Sequence, residues 1–129
     1  MILSTFLKRV LLLDAASCLS MGLLLALGAG ALASEFGIDR QIVGGGGVAL
    51  IPVGLFILWL GTRKAAAPAL IYLVIAGNIA WSVESVVLIA NASGITLLGT
   101  AFVAIQAAAV AGLSLLEWIG VRRPQTSAA

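Results

Sequence analysis

Four apolar runs divide this chain, each close to the ~20 residues that carry a helix across a bilayer. They cover roughly Val10–Ala33, Ile42–Leu60, Ala67–Ala90 and Leu97–Ile119. Hydrocarbon offers the backbone no hydrogen-bond partner, so a spanning segment must be a helix or part of a closed barrel. The runs lack the alternating apolar and polar pattern of barrel strands, which leaves helices. The composition agrees: 62% of residues are hydrophobic and 9% charged, against about 45–50% and about 25% in soluble domains. A soluble fold of this length has too little interior to hide that apolar fraction. The expected fold is an all-α membrane protein, an antiparallel four-transmembrane-helix bundle. One domain is expected over residues 1–121, with a polar and poorly ordered tail at 122–129.

The breaks between the runs are short and carry turn signals. "SEFGIDRQ" (Ser34–Gln41) holds three charges and a glycine. "GTRKAAAP" (Gly61–Pro68) ends in a proline suited to the first turn of the next helix. "NASG" (Asn91–Gly94) is small and polar. Short connections make successive helices antiparallel neighbours.

Orientation is read from the cations. Lys8, Arg9, Arg63, Lys64, Arg122 and Arg123 all fall on one side of the membrane, and Arg40 alone on the other. The positive-inside rule then places both termini in the cytoplasm, in a bacterial inner membrane. Phe6, Trp59, Tyr72 and Trp118 fall near the same interface as an aromatic belt, while Trp81 lies deep in the third span. The start of the chain also has the marks of a signal peptide, with Lys8 and Arg9 ahead of an apolar run and "ALAS" (Ala31–Ser34) after it. That run is about twice the usual ~7–15 residues and is interrupted by Asp14, so a retained helix is expected.

Several functions are excluded by residue content. There is no histidine, which removes His-ligated metal or haem sites and a Ser-His-Asp triad. Cys18 is the single cysteine and has no disulfide partner within the chain. A net charge of +2 is too small and scattered for nucleic-acid binding. No cofactor or metal is expected.

Helices in lipid associate through small residues that let backbones approach. Gly22, Ala26 and Gly30 repeat every four residues in the first span, and Ala104, Ala108 and Gly112 in the fourth. Gly47, Gly54 and Gly61 recur every seven in the second, which keeps one helical face bare.

The polar residues inside the spans are the candidates for function. With Met21 as the middle of the first span, Asp14 lies roughly 10 Å toward the cytoplasm, at about 1.5 Å per residue. Glu117 lies at a similar depth. Arg9, Arg63 and Arg122 can snorkel to this level, so a cytoplasmic-side ionic layer of these five residues is expected. Asn78, Trp81, Ser82 and Ser85 follow i, i+3, i+4, i+7 and share one face of the third helix. Glu84 flanks that stripe, roughly 7–8 Å to the outer side of Ile79. Its possible partners are Arg40, Gln106 and the free N–H groups opening the second helix. Asn78, Trp81, Ser82, Glu84, Ser85 and Gln106 thus form a polar intramembrane cluster, serving either as interhelical glue or as a pocket with Trp81 for a wall.

The segments "LLLDAAS" (Leu11–Ser17), "GNIAWSVES" (Gly77–Ser85) and "GTAFVAIQAAAVAGLSLLE" (Gly99–Glu117) resemble a family of small uncharacterised bacterial four-helix integral membrane proteins. That family has an Asp early in the first helix, an N-x-x-W-x-x-x-S pattern in the third and a Gln in the fourth. The matching positions are Asp14, Asn78, Trp81, Ser85 and Gln106. The resemblance spans nearly the whole chain and implies a fold and a site, without implying an activity.

The expected function is that of a non-enzymatic accessory or structural subunit, or a homo-oligomeric membrane module. Its partners would be membrane lipid and either further copies or a larger membrane complex, with no nucleic acid. The alternative is a small transporter or lipid/apolar-ligand binder using Trp81, Asn78, Glu84 and Gln106. An intramembrane enzyme is the weakest reading, since no nucleophile–base set is visible. A cavity at the polar stripe separates the first two readings: the accessory reading expects none.

Overall fold

The computed structural model describes residues 1–123. Among the described residues five helices are formed: α1 (Thr5–Leu27), α2 (Ala29–Phe36), α3 (Arg40–Gly61), α4 (Pro68–Asn91) and α5 (Leu97–Arg122). All but α2 are long and apolar enough to cross a membrane. Their outward faces are covered with exposed Leu, Ile and Val, among them Leu13, Leu23, Val48, Leu73, Val86 and Ile105. Water would not tolerate so continuous an apolar surface; lipid chains would. The chain is a multi-pass membrane protein built as a helical bundle.

Local chemistry sets the helix starts. The side chains of Ser4, Asp39 and Thr96 cap α1, α3 and α5 by accepting from the N–H groups of Leu7, Gln41 and Gly99. Each satisfies a donor that the first turn leaves free. Pro68 opens α4, where its missing N–H costs nothing.

The first span differs from the expected Val10–Ala33. It begins at Thr5 and stops at Leu27. Gly28 leaves helical geometry at φ −100° and ψ 16°, and its N–H closes α1 onto Leu24 O. In "LGAGALAS" the glycines at 28 and 30 each weaken a helix by about 1 kcal/mol relative to alanine. The chain therefore turns there, and α2 packs separately against α3 and α5. Residues 124–129, most of the expected polar tail, lie outside the described residues.

The bundle is two hairpins laid side by side. α1 packs along α3, α4 packs along α5, and contact between α1 and α5 joins the pairs. Backbone contact between α3 and α4 is minimal. The α1–α3 contact runs over the expected bare face of α3. Gly47 lies against Gly22 and Ala26, Gly54 against Cys18 and Leu19, and Gly61 against Leu11 and Leu12. A methyl group on Gly47 would meet Ala26 N at 2.5 Å, so this contact admits only glycine without displacement. The stripe of Ala104, Ala108 and Gly112 is exposed instead.

Both ends of the bundle are tied across the hairpins. At the end holding the N-terminus, Leu3 N donates to Lys64 O and Ala66 N to Met1 O. At the opposite end, Thr96 binds the end of α2 through its N–H to Phe36 O and its hydroxyl to Glu35 O. Gly37 takes a left-handed φ of 66° there, and Gly94 O fills the space a side chain would need. Phe36 stacks on Phe102 with ring centroids 4.6 Å apart.

Candidate functional site

The polar stripe of α4 divides between two partners. Ser82, Ser85 and Trp81 bond to α5. The Trp81 indole N–H donates to Gln106 Oε1 at 2.8 Å, and Gln106 Nε2 donates to Ser85 Oγ at 2.8 Å and Val103 O at 2.9 Å. The Ser82 hydroxyl donates to Ala107 O at 3.1 Å. Ser85 closes the set by donating to Trp81 O at 2.8 Å. Each amide and indole donor in this set has a partner, as groups held in hydrocarbon require.

Asn78 leaves the stripe and reaches further. Its Nδ2 donates to Asp14 Oδ2 at 2.7 Å and to Glu117 Oε1 at 2.9 Å. One amide thus joins α1, α4 and α5. The Cys18 thiol donates to Asp14 Oδ1 at 3.6 Å, one helical turn along α1. Asp14 is 1% exposed and Glu117 is fully buried. Glu117 Oε2 is buried with no hydrogen-bond partner among the described residues.

This arrangement differs from the expected ionic layer. Asp14 and Glu117 do share a depth, but among the described residues neither pairs with Arg9, Arg63 or Arg122. The guanidiniums stay at the rim on aromatic faces. Arg63 lies 5.6 Å from the Trp59 ring centre and Arg122 5.2 Å from that of Trp118. Arg9 is exposed. A cation beside an aromatic face at the interface remains hydrated, whereas reaching the buried acids would require stripping its water.

Glu84 also departs from expectation. It is exposed, and none of its three expected partners is used. Gln106 is committed to Trp81, Ser85 and Val103. The Arg40 guanidinium lies over Gly30. The α3 N-terminus is capped by Asp39.

Two cavities lie between the hairpins, where α3 and α4 stand apart. The first, about 760 Å³, is lined by Asp14 and Asn78, by apolar residues of α3 such as Val53, Phe56 and Ile57, and by Ile105 of α5. Val53 and Leu73 are exposed at its edges, on the facing sides of α3 and α4. The second, about 730 Å³, lies toward the opposite end and carries Glu84, Asp39 and Asn91. Met21, Trp81, Phe102 and Gln106 line both. Trp81 crosses from α4 to α3, and its ring tip Cη2 would stand 3.5 Å from a methyl group placed on Gly46. It is the partition between the cavities, packed on α3 at Gly46.

No known protein family, curated protein or solved structure matches this chain. The functional reading therefore rests on the site.

Of the residues expected to form a polar cluster, the structure brings together Trp81, Ser82, Ser85 and Gln106, places Asn78 with Asp14 and Glu117, and leaves Glu84 on the second cavity. Cys18 was not among the expected site residues. Its spacing of four from Asp14 on a helix is the signal that could have found it.

Proposed function

We propose that this protein is a non-enzymatic membrane protein that takes an amphipathic molecule from the bilayer and holds it between its two hairpins, as a small carrier or ligand-binding module. The observation that carries this reading is the apolar cleft of about 760 Å³ on which Asp14, Asn78, Trp81 and Gln106 converge. Ligand sites have this character: apolar walls, a few placed polar groups and a volume of ~300–1,000 Å³. The opening between α3 and α4 faces lipid, which suits a ligand that partitions into membranes. An accessory role accounts for the bonds between α4 and α5, but gives no use for a cleft between the hairpins. The asymmetry of the cations supports a bacterial inner-membrane placement with both termini inside.

Native mass spectrometry of protein released from lipid nanodiscs tests this. A bound amphiphile retained by the wild-type chain and lost when the cleft is filled, as in Gly77→Trp, supports the reading. Release free of any bound molecule, under conditions that keep the chain folded, sets it aside. The same spectrum reports copy number. The exposed small stripe of Ala104, Ala108 and Gly112 favours self-association as a second property of this chain.

A further inference from the structure

We propose that Asp14, Asn78 and Glu117 form a proton-binding site, and that the ligand of the adjoining cavity is an organic amine whose positive head displaces one proton from it. This rests on the ligand-binding reading above and names the chemical class of the ligand.

The argument is one of donors and charge. Asn78 has two amide hydrogens, and both are used, one on each acid. The Cys18 thiol supplies one weak donor to Asp14. Glu117 Oε2 is left buried with nothing to accept from. The two carboxyl groups lie side by side, since the same Asn78 Nδ2 reaches an oxygen of each, at 2.7 Å and 2.9 Å. Acids at this spacing cannot both ionise without a cation, because like charges repel and burial removes the water that would shield them.

Among the described residues, the hydrogen bonds to the two acids come from Cys18 and Asn78 and none comes from a cation. α1 turns Cys18 toward the acids, α4 turns Asn78, and α5 contributes Glu117 itself. α3 lines the cavity next to Asp14 with apolar groups alone. Arg63, Arg122 and Arg123 rest on aromatic rings at the rim, and Arg9 is exposed. With one shared proton the pair still carries a net charge of about −1, which hydrocarbon does not tolerate unpaired. That charge is cancelled by a second proton, or by a cation in the cavity. Asp14 lines the cavity and Glu117 does not, so Asp14 is the group that meets the ligand. The wall around it is apolar, which selects an ammonium with an alkyl or aromatic body and rejects anionic amphiphiles. One R–NH₃⁺ enters, one carboxylic acid proton leaves, and the charge of the site is unchanged.

The test uses the full chain in phosphatidylcholine nanodiscs, with Trp59→Phe and Trp118→Phe leaving Trp81 as the reporter. The probes are 11-bromoundecylammonium and 11-bromoundecanol, whose bromine quenches an indole it touches. The amine, like that of lysine, stays charged between about pH 5 and pH 8. Saturable quenching by both probes is expected. Ammonium affinity should rise with pH, approaching tenfold per unit where one proton is exchanged, with alcohol affinity flat. Asp14→Asn should abolish the pH dependence and weaken the ammonium at least tenfold, leaving the alcohol unchanged. Saturable binding of both probes with the same pH profile overturns the proton exchange and leaves the cavity reading standing. Quenching that never saturates with either probe overturns both. The pH comparison is made on the Asp14 chain, so it holds whether or not Asp14→Asn folds.

Discussion

The Trp81 indole N–H donates to Gln106 Oε1 at 2.8 Å, so the wall between the two cavities is held by a hydrogen bond from α4 to α5. Replacing Gln106 by Leu keeps the volume and removes the acceptor. It also frees the Ser85 hydroxyl from the Gln106 amide. The stability cost should be modest, about 1–2 kcal/mol, as measured for interhelical hydrogen bonds in membranes. The effect on Trp81 should be larger than the effect on folding. With Trp59 and Trp118 replaced by Phe, steady-state anisotropy of Trp81 should fall in Gln106→Leu, and an unchanged anisotropy would show that packing against Gly46 suffices to hold the ring.

The Asn78 side chain bonds α1, α4 and α5 together. Asn78→Leu fills the same space and withdraws two hydrogen bonds from buried carboxyl groups. Losing a donor to a buried polar group costs about 1–3 kcal/mol, and more when the group is charged. A loss of roughly 3 kcal/mol is expected for the pair, read from reversible unfolding in mixed micelles. The loss should shrink when Asp14→Asn and Glu117→Gln are added, since the unmet acceptors are then also donors. Equal losses in both backgrounds would mean that Asn78 acts by shape.

How much of this was legible in the sequence depends on which coordinate is asked for. Depth along the membrane was legible. A rise of about 1.5 Å per residue placed Asp14 and Glu117 in one layer, and the structure keeps them there. Rotation about each helix axis was legible only where a repeat marked a face. Gly47, Gly54 and Gly61 announced the side of α3 that meets α1. Asn78, Trp81, Ser82 and Ser85 announced the inward side of α4. The order of packing was not legible. That α1 rather than α3 stands next to α5 is decided by side-chain fit over whole helices, and it is what brings Asn78 within reach of both acids. Charge complementarity pointed those acids toward arginines, because a linear sequence shows charge but not the cost of drawing a guanidinium into hydrocarbon. The break at Gly28 was hidden in a run that stays apolar on both sides.

Glu84 lies at an intramembrane level of the sequence but is exposed and unpaired among the described residues. Glu84→Gln should therefore leave stability unchanged, within about 0.5 kcal/mol, as surface substitutions do. If the second cavity is a route for the ligand, the same variant should alter the rate of ligand uptake without altering affinity at the first cavity. Stopped-flow quenching of Trp81 by a brominated amphiphile separates the two. A stability loss above 1 kcal/mol in the same unfolding assay would reveal a partner for Glu84, in lipid or in a second copy.

Two glycines two residues apart on α3 make opposite predictions. Gly47 is buried, and a methyl group there would press on Ala26 N, Gly22 O and Leu25 Cβ, the first at 2.5 Å. Gly45 is exposed, with nothing within 4 Å of where its methyl group would stand. Gly47→Ala must push α1 from α3, at a cost of about 1–3 kcal/mol for overpacking. Because Gly47 lies in the half of α3 that borders both cavities, that displacement should also weaken probe binding. Gly45→Ala adds a better helix former at no steric cost, and stability should hold or rise by up to about 1 kcal/mol. Thermal unfolding of the two variants side by side checks the contact, because both change the same chemical group on the same helix. If both lose stability equally, the bare face of Gly45 is covered by something outside this chain, and a second copy is the first candidate to examine by native mass spectrometry.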